Sequence, residues 1–401
     1  MEIRTLTQKE NLAYDLLSCV CFGEEAGKDY ENYHKNLDEH TSDWENRIGA
    51  FDKNGELIAA LYVIPYNMYF DGQAVKMGGI QGVVTAPESR GTGVMNKVFH
   101  ETLRFMKDKG QVFSILYPFS YAYYRKFGYE ITYQLNKAVV PTLTFGHYPY
   151  PKDSVRFWKK SDGFADLMSI YDAFAKSRNM SIYRDEKSWK DIMKDDPYIK
   201  RKHTYIHYDA QNKPDAYVRT RVHFPANGQD RQVSIDELAW TTQDGLFAMF
   251  GFIGGLRPQY GEAIWEVPMS LDLYTLFPEA WDVSIETPSS VQTRIVDLSA
   301  ALKLMRVPTL FNGNVCIDVF DKSFPDNNGK YCISWESGTV SVEKTDRAPD
   351  MSTSIEAMSQ LVLGYLTPDM AAYRADTTIH SQHEALMALF PKKDLYLGEK
   401  F

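Results

Sequence analysis

The stretch V-V-T-A-P-E-S-R-G-T-G-V-M, residues 83–95, places the strongest constraint on how this chain can fold. It lies at the end of an apolar, strand-like run and opens onto a run that ends at Gly110. In that second run the apolar residues recur at helical spacing, at Val94, Met95, Val98, Phe99, Leu103 and Met106. The sequence therefore predicts a strand, a glycine-rich turn and an amphipathic helix in direct succession.

Such a turn is suited to binding an anion. The first N–H groups of a helix lack partners and carry partial positive charge, and glycines let a phosphate approach the main chain. Arg90 adds a cation beside Gly91 and Gly93. A Walker loop would need G-K-[ST], which is absent, and a dinucleotide fingerprint would need a small residue where Asn96 stands. The alternative is that the two glycines only form a tight turn.

Composition limits the class of protein. The 401 residues, 44% of them hydrophobic, are enough for two to four domains, and the net charge of −9 disfavours nucleic acid as a partner. No apolar run of about 18 residues and no secretory signal is present, so no membrane association is predicted and the location is predicted to be cytoplasmic. No metal site is predicted, and four cysteines without C-x-x-C spacing are interpreted as buried thiols: Cys19, Cys21, Cys316 and Cys332.

The chain divides into three units in this interpretation. Residues 1–148 have a mixed α/β pattern that ends in the proline-containing stretch G-H-Y-P-Y-P-K-D. Residues 149–287 repeat that pattern, but W-T-T-Q-D-G replaces the arginine and glycine pair, so this second unit is predicted to be catalytically silent. Residues 288–401 form a third unit of short strands followed by helices.

Two motifs carry a resemblance to a known family. The stretch V-V-T-A-P-E-S-R-G-T-G resembles the coenzyme A motif of GNAT acetyltransferases, in which V-x-V/T-x-P precedes a loop of the R/Q-x-x-G-x-G/A type. The stretch Y-R-K-F-G-Y, which starts at Tyr124, resembles the Y-G-R-F-G-Y signature of the enhanced intracellular survival (Eis) branch. The resemblance implies an α/β (mixed α+β) fold of tandem GNAT-like domains followed by a C-terminal sterol-carrier-like domain.

The resemblance also implies a co-substrate, acetyl-CoA, and the residues that bind it. The main chain of Val83 to Thr85 would pair with the pantetheine arm, and the N–H groups from Arg90 to Met95 would hold the diphosphate. The complete set implied is Val83, Val84, Thr85, Arg90, Gly91, Thr92, Gly93, Val94 and Met95.

For catalysis the resemblance implies Tyr124 as the acid that protonates the departing thiolate and the C-terminal carboxylate of Phe401 as the base. Phe22 and Glu24 would line the pocket for a primary amine of a small cationic substrate, namely an aminoglycoside, a polyamine or a lysine-like amine. Lys400 stands where a relative has an acidic residue, which disfavours polycations. The resemblance further implies a homo-oligomer, a hexamer. The alternative is a non-enzymatic protein that binds acyl-CoA or another hydrophobic ligand.

Overall fold

The computed structural model describes residues 1–23, 43–224 and 231–401. Within those ranges the strands are β1 (Glu2–Thr5), β2 (Arg47–Phe51), β3 (Leu57–Phe70), β4 (Gln73–Thr85), β5 (Phe113–Leu116), β6 (Glu130–Pro141), β7 (Val155–Phe157), β8 (Lys202–Tyr208), β9 (Pro214–His223), β10 (Gln232–Trp240), β11 (Glu262–Val267), β12 (Ser284–Ile295), β13 (Gly313–Phe320), β14 (Gly329–Glu336), β15 (Thr339–Lys344), β16 (Met351–Ser354) and β17 (Thr377–Ile379).

The helices of the same ranges are α1 (Asn11–Phe22), α2 (Val94–Asp108), α3 (Tyr121–Arg125), α4 (Ala165–Lys176), α5 (Glu186–Ile192), α6 (Pro197–Lys200), α7 (Gln243–Gly255), α8 (Leu273–Leu276), α9 (Leu298–Lys303), α10 (Ile355–Leu363), α11 (Pro368–Ala371) and α12 (His383–Leu389). The predicted mixed α/β class is confirmed. Among these helices none is both long enough and apolar enough to cross a membrane.

The larger sheet has twelve strands in the order β1-β2-β3-β4-β5-β12-β6-β11-β10-β9-β8-β7. Its two halves have the same plan, because each has one parallel pair, β4 with β5 and β10 with β11, joined through a helix, α2 or α7. All other neighbours in this sheet are antiparallel. Strand β12 lies between β5 and β6 in the sheet. The predicted boundary at 287/288 falls within this strand, which spans Ser284–Ile295. The boundaries at 148/149 and 287/288 stay predictions.

Helix α2 forms as its spacing predicts. The six apolar residues that recur at helical spacing are all 5% exposed or less, while Asn96 and Lys97 on the other face are exposed. Phe99, on the buried face, stacks on Phe127 with ring centroids 3.9 Å apart. The helix ends at Asp108, and Gly110 follows at φ +72°, a conformation that glycine adopts readily. The apolar face of α2 thus fixes the turn that precedes it against the sheet.

The third unit has a five-stranded sheet in the order β15-β14-β13-β16-β17. Its core is continuous with the core beneath β3 to β6, because Met77 and Phe113 of the first sheet belong to the same buried cluster as Val315 and Leu361. Burial of this shared apolar surface holds the first and third units together. The two units therefore share one hydrophobic core, beside the separate clusters of the first unit.

The interpretation of all four cysteines as thiols is wrong for one pair. Cys316 on β13 and Cys332 on β14 stand directly opposite each other and form a disulfide. Directly opposed positions on antiparallel strands bring Cβ atoms close together, which linear spacing does not reveal. Cys19 and Cys21 are free thiols, but both are partly exposed rather than buried.

Candidate active site

The strands β4 and β5 separate at the point where the glycine-rich turn approaches. Their pairing runs from Met77 opposite Phe113 to Ile80 opposite Leu116, where β5 ends. On its other side β4 stays paired with β3 as far as Thr85. The main chain of residues 81–85 therefore has no strand partner on the β5 side within the described residues. Such an edge can pair with an extended ligand.

A β-bulge shapes this edge. The register of β4 against β3 shifts so that Gly82 and Val83 are both opposite Leu61. Gly82 has φ +56°, and a Cβ there would lie 1.9 Å from the hydroxyl oxygen of Tyr14. That hydroxyl donates a hydrogen bond of 3.0 Å to the Gly82 carbonyl. Sequence reasoning did not select Gly82, although an isolated glycine in a strand is a signal for a bulge.

The turn before α2 has the properties of an anion site. Gly91 and Gly93 have φ values of +76° and +77°, and Gly93 caps α2 without any side-chain hydrogen bond. No described residue accepts a hydrogen bond from the N–H groups of residues 91–95. Arg90 is exposed, and its Nε donates to the Thr85 carbonyl at 3.3 Å, which holds the guanidinium beside the turn. A diphosphate fits this arrangement.

A cleft of about 740 Å³ runs along the edge of β4 and the turn. Its lining includes seven of the nine residues predicted to bind the co-substrate, Val83, Thr85, Arg90, Gly91, Gly93, Val94 and Met95. Val84 instead is 1% exposed and packs in the core, and Thr92 lies outside the lining. Asn96 and Lys126 also line the cleft, and sequence reasoning missed both.

The two predicted amine-pocket residues have different outcomes. Phe22 lines the same cleft as the glycine-rich turn, beside Cys21. Glu24 lies outside the described residues. The predicted amine pocket of Phe22 and Glu24 therefore stays a prediction.

Tyr124 lies immediately behind the lining of the cleft. It belongs to α3 and is 4% exposed, and its ring contacts Phe119 and Tyr123 at centroid distances of 5.4 and 5.2 Å. Both neighbours line the cleft. The Tyr124 hydroxyl makes no hydrogen bond within the described part of the chain, and burial raises the pKa of the phenol well above its ordinary value. Tyr124 is therefore a neutral phenol with an uncommitted proton.

The end of the chain reaches the same pair of strands. The ring of Phe401 packs on Gly79 of β4, where a Cβ would come within 2.8 Å of it. Tyr66 on β3 and Tyr117 just after β5 flank the ring at centroid distances of 5.2 and 5.5 Å. Within the described ranges, the terminal carboxylate takes part in no ion pair with a side chain.

The corresponding turn of the second half differs in chemistry. Thr242 caps α7, because its hydroxyl accepts from the Gly245 N–H at 3.0 Å and donates to Asp215 at 2.6 Å. Asp215 is 2% exposed. A side chain therefore occupies the helix N-terminus, and a buried carboxyl group stands beside it, so this turn disfavours an anion.

A second large cleft, of about 800 Å³, lies on the sheet of the second half beside the chain end. Gly398 and Lys400 form part of its wall. Five of its lining residues are cationic and two are acidic, namely Lys137, Lys202, Arg219, Arg221 and Lys400 against Asp236 and Glu266. The wall is therefore net positive in a protein whose net charge is −9.

Comparison with known families agrees with this architecture. Residues 2–132 match an acetyltransferase (GNAT) domain family, residues 181–295 match another acetyltransferase (GNAT) domain family, and residues 298–398 match the sterol carrier protein domain family. The protein is an N-acetyltransferase of the GNAT type, an enzyme class whose domains use acetyl-CoA. It has two GNAT domains followed by a sterol-carrier-like domain.

Individual relatives are distant but extend over most of the chain. An uncharacterized N-acetyltransferase of Streptomyces coelicolor is 22% identical over an alignment of 347 residues that covers 79% of this chain and 79% of the relative. The crystal structure of a GCN5-related N-acetyltransferase from Anabaena variabilis aligns over 100% of both chains with a TM-score of 0.85 and 20% identity. Eis1 from Mycobacterium abscessus also aligns over 100% of both chains, with a TM-score of 0.81 and 20% identity. These structures share the fold of this chain.

Proposed function

We propose that this protein is an Eis-type, acetyl-CoA-dependent N-acetyltransferase that acetylates a primary amine of a small cationic substrate. The observation that carries the proposal is the coincidence of three features at the β4–β5 opening. These features are an unpaired strand edge, an uncapped helix N-terminus, and the positions of Tyr124, behind the cleft lining, and Phe401, against Gly79 and Tyr117.

Binding of the co-substrate uses the edge and the turn. The main chain of residues 83–85 pairs with the extended pantetheine arm, and the N–H groups of residues 90–95 with Arg90 bind the diphosphate. Acetyl-CoA supplies the acetyl group as a thioester. The N–H near Val84 polarises the thioester carbonyl, since it lies on the strand edge beside the opening.

In the proposed reaction the amine nitrogen attacks the thioester carbon, so that a C–N bond forms and the C–S bond breaks. The carboxylate of Phe401 accepts the proton that the amine loses, directly or through water. Tyr124 donates its phenolic proton to the departing sulfur. Burial favours the protonated phenol, which keeps this proton available at neutral pH.

Among the three proposed substrate classes, the charge near the chain end favours a lysine-like amine. The cleft beside Lys400 is lined by more cations than carboxylates, so a polyamine or an aminoglycoside meets repulsion there. A lysine-like substrate carries a carboxylate that this wall attracts. Thiol release from acetyl-CoA should therefore be faster with lysine than with cadaverine, the matched diamine without a carboxylate, and higher salt should reduce the difference.

The second GNAT domain is proposed to be catalytically silent, because Thr242 caps the N-terminus of α7 and the Asp215 carboxyl group beside it disfavours a diphosphate. The resemblance to the Eis branch further suggests a homo-hexamer, which light scattering of the purified protein tests. The cytoplasmic location stays a prediction.

The binding-protein alternative predicts an apolar cavity within residues 290–401. The described apolar side chains of that region pack into a common core with the first sheet. A protein that only binds acyl-CoA would also need neither a buried phenol nor a chain terminus beside the β4–β5 opening. The acetyltransferase is therefore the better-supported function.

The test is thiol release from acetyl-CoA over a panel of aminoglycosides, polyamines, lysine derivatives and arylalkylamines. We expect release with at least one class, and we expect deletion of Phe401 to abolish turnover while calorimetric binding of acetyl-CoA persists. Normal turnover in the deletion variant would refute the catalytic carboxylate. Binding of acetyl-CoA without release for any amine would favour the binding protein.

A further inference from the structure

The last residues of the chain are bound to the second half of the molecule by main-chain hydrogen bonds. The Asn179 N–H donates to the Asp394 carbonyl at 2.9 Å, and the Tyr396 N–H donates to the Asn179 carbonyl at 3.0 Å. Ser181 donates from its hydroxyl to the Tyr396 carbonyl at 3.3 Å. The ring of Tyr396 is buried against Phe174. These contacts therefore fix the path of the tail as far as Leu397, the last of its buried apolar residues.

Glu399 is the last anchored residue before the terminus. Arg184 donates from Nε to Oε1 of Glu399 at 2.5 Å, and the Tyr117 hydroxyl donates to the Glu399 main-chain carbonyl at 2.6 Å. Tyr117 also contacts the ring of Phe401. In contrast, the ion pair of Lys400 with Glu266 is exposed, and such pairs contribute little. Glu399 thus connects the second half of the molecule to the end of β5 and to the terminal residue.

The surroundings of Glu399 indicate what its carboxyl group does. Arg184 also donates two hydrogen bonds to Glu237, at 2.7 and 3.0 Å, and Tyr217 donates to Glu237 at 2.6 Å. Burial raises the pKa of Glu399, and Glu237 raises it further, against the opposing effect of Arg184. The Oε2 atom of Glu399 is buried and has no hydrogen-bond partner among the residues that the structure describes. Oε1 is therefore the carboxyl atom that holds the anchor, and an amide oxygen at the same position can accept the same hydrogen bond from Arg184.

We propose that Glu399 is a positioning residue, which fixes the C-terminal carboxylate at the β4–β5 opening through its hydrogen bonds with Arg184 and Tyr117. This inference rests on the proposed function, in which that carboxylate accepts a proton. Only Lys400 separates Glu399 from Phe401, so the terminus lies within about 7 Å of chain from the anchor. Release of the anchor lets the carboxylate move by ångströms, and a misplacement of about 1 Å can lower a rate by roughly 100-fold.

The experiment compares Glu399→Ala with Glu399→Gln, which keeps an acceptor oxygen for Arg184. Glu186→Ala is the matched control, because it removes an ion pair with Lys190 of similar length, 2.7 Å, that is exposed on α5. We expect Glu399→Ala to lower kcat by at least roughly tenfold with an unchanged KM for acetyl-CoA, Glu399→Gln to restore most of the activity, and the control to match the wild type.

A second measurement does not depend on activity. Carboxypeptidase A releases a C-terminal phenylalanine and stops at a lysine, so mass spectrometry follows the loss of Phe401 alone. We expect release at least roughly tenfold faster from Glu399→Ala than from the wild type or Glu399→Gln, at equal thermal midpoints. If Glu399→Ala releases Phe401 as slowly as the wild type, or keeps the wild-type kcat, the proposal is overturned. A wild-type protein that transfers no acetyl group refutes the proposed function, whereas faster release from Glu399→Ala still supports the anchor.

Discussion

At the scale of single residues, the buried pair of Arg184 and Glu237 is expected to make the free energy of unfolding depend on pH. Both side chains are 3% exposed. Although burial opposes the charged form, Arg184 and Arg219 lower the pKa of Glu237 to about 2. A carboxyl group whose pKa falls on folding stabilises the protein above its ordinary pKa, and that contribution is lost as the pH falls towards 2.

We therefore expect Glu237→Gln to reduce the free energy of unfolding by about 3 kcal/mol near neutral pH, because it leaves Arg184 partly uncompensated. The difference from the wild type should shrink as the pH falls towards about 3, where the unfolded wild-type carboxyl binds a proton. Urea denaturation at both pH values measures it. The same difference in the free energy of unfolding at both pH values would contradict a role for the charge of Glu237.

Tyr124 gives the second prediction at this scale. Tyr124→Phe removes the proposed acid without removing its ring, which packs against Phe99, Phe119 and Tyr123. We expect kcat to fall by roughly 100-fold or more with little change in KM for acetyl-CoA. Steady-state kinetics measure this, and Tyr123→Phe on the same helix is the comparison. Equal losses in the two variants would argue against Tyr124 as the specific acid.

At the scale of elements, the N-terminus of α2 should recognise the diphosphate of CoA. Arg90 is exposed and is held beside the turn by the Thr85 carbonyl. We expect Arg90→Ala to weaken CoA binding by about tenfold, the value of one charge-assisted hydrogen bond, and to leave the binding of pantetheine unchanged because it has no diphosphate. Calorimetry with both ligands measures this. Equal weakening of CoA and pantetheine binding would mean that Arg90 acts on a part of the ligand other than the diphosphate.

The bulge in β4 is the second feature at this scale. Gly82 and Gly55 both have positive φ, at +56° and +84°, but only at Gly82 would a Cβ collide with another atom, the Tyr14 oxygen. Gly55→Ala should therefore lower the free energy of unfolding by about 1 kcal/mol through backbone strain. Gly82→Ala should lower it by at least about 1 kcal/mol more. Chemical denaturation of the two variants gives the difference. Equal losses of stability in the two variants would show that α1, which carries Tyr14, moves away from Gly82 freely.

At the scale of the whole molecule, the core shared by the first and third units is expected to make their unfolding cooperative. Met77 and Phe113 of the first sheet are buried in one cluster with Val315 and Leu361 of the third unit. A chain that ends at residue 297 exposes this surface, so we expect it to lose its cooperative thermal transition and to bind a hydrophobic dye. The full chain without Phe401 is the control. A fragment with an unchanged transition would show that the first unit folds independently.

Much of this architecture could be predicted from local sequence. The spacing of Val94 to Met106 and the glycines before it determine a strand, a turn and a helix, because helix periodicity and left-handed turn residues are local properties. In the second unit W-T-T-Q-D-G replaces that turn, which predicts a turn unsuited to an anion. The cap that Thr242 provides at the N-terminus of α7 agrees with this prediction. The seven predicted co-substrate residues that line one cleft belong to the same contiguous stretch.

Only the tertiary structure decided the contacts between residues far apart in the chain. It paired Cys316 with Cys332, inserted β12 between β5 and β6, and brought Glu399 to Arg184. These pairings depend on strand register and on how the shared core closes, which no local pattern encodes. The sequence alone thus determined the elements and the glycine-rich turn before α2. Packing placed the chain terminus beside the β4–β5 opening, because burial of the tail selects one path over the surface.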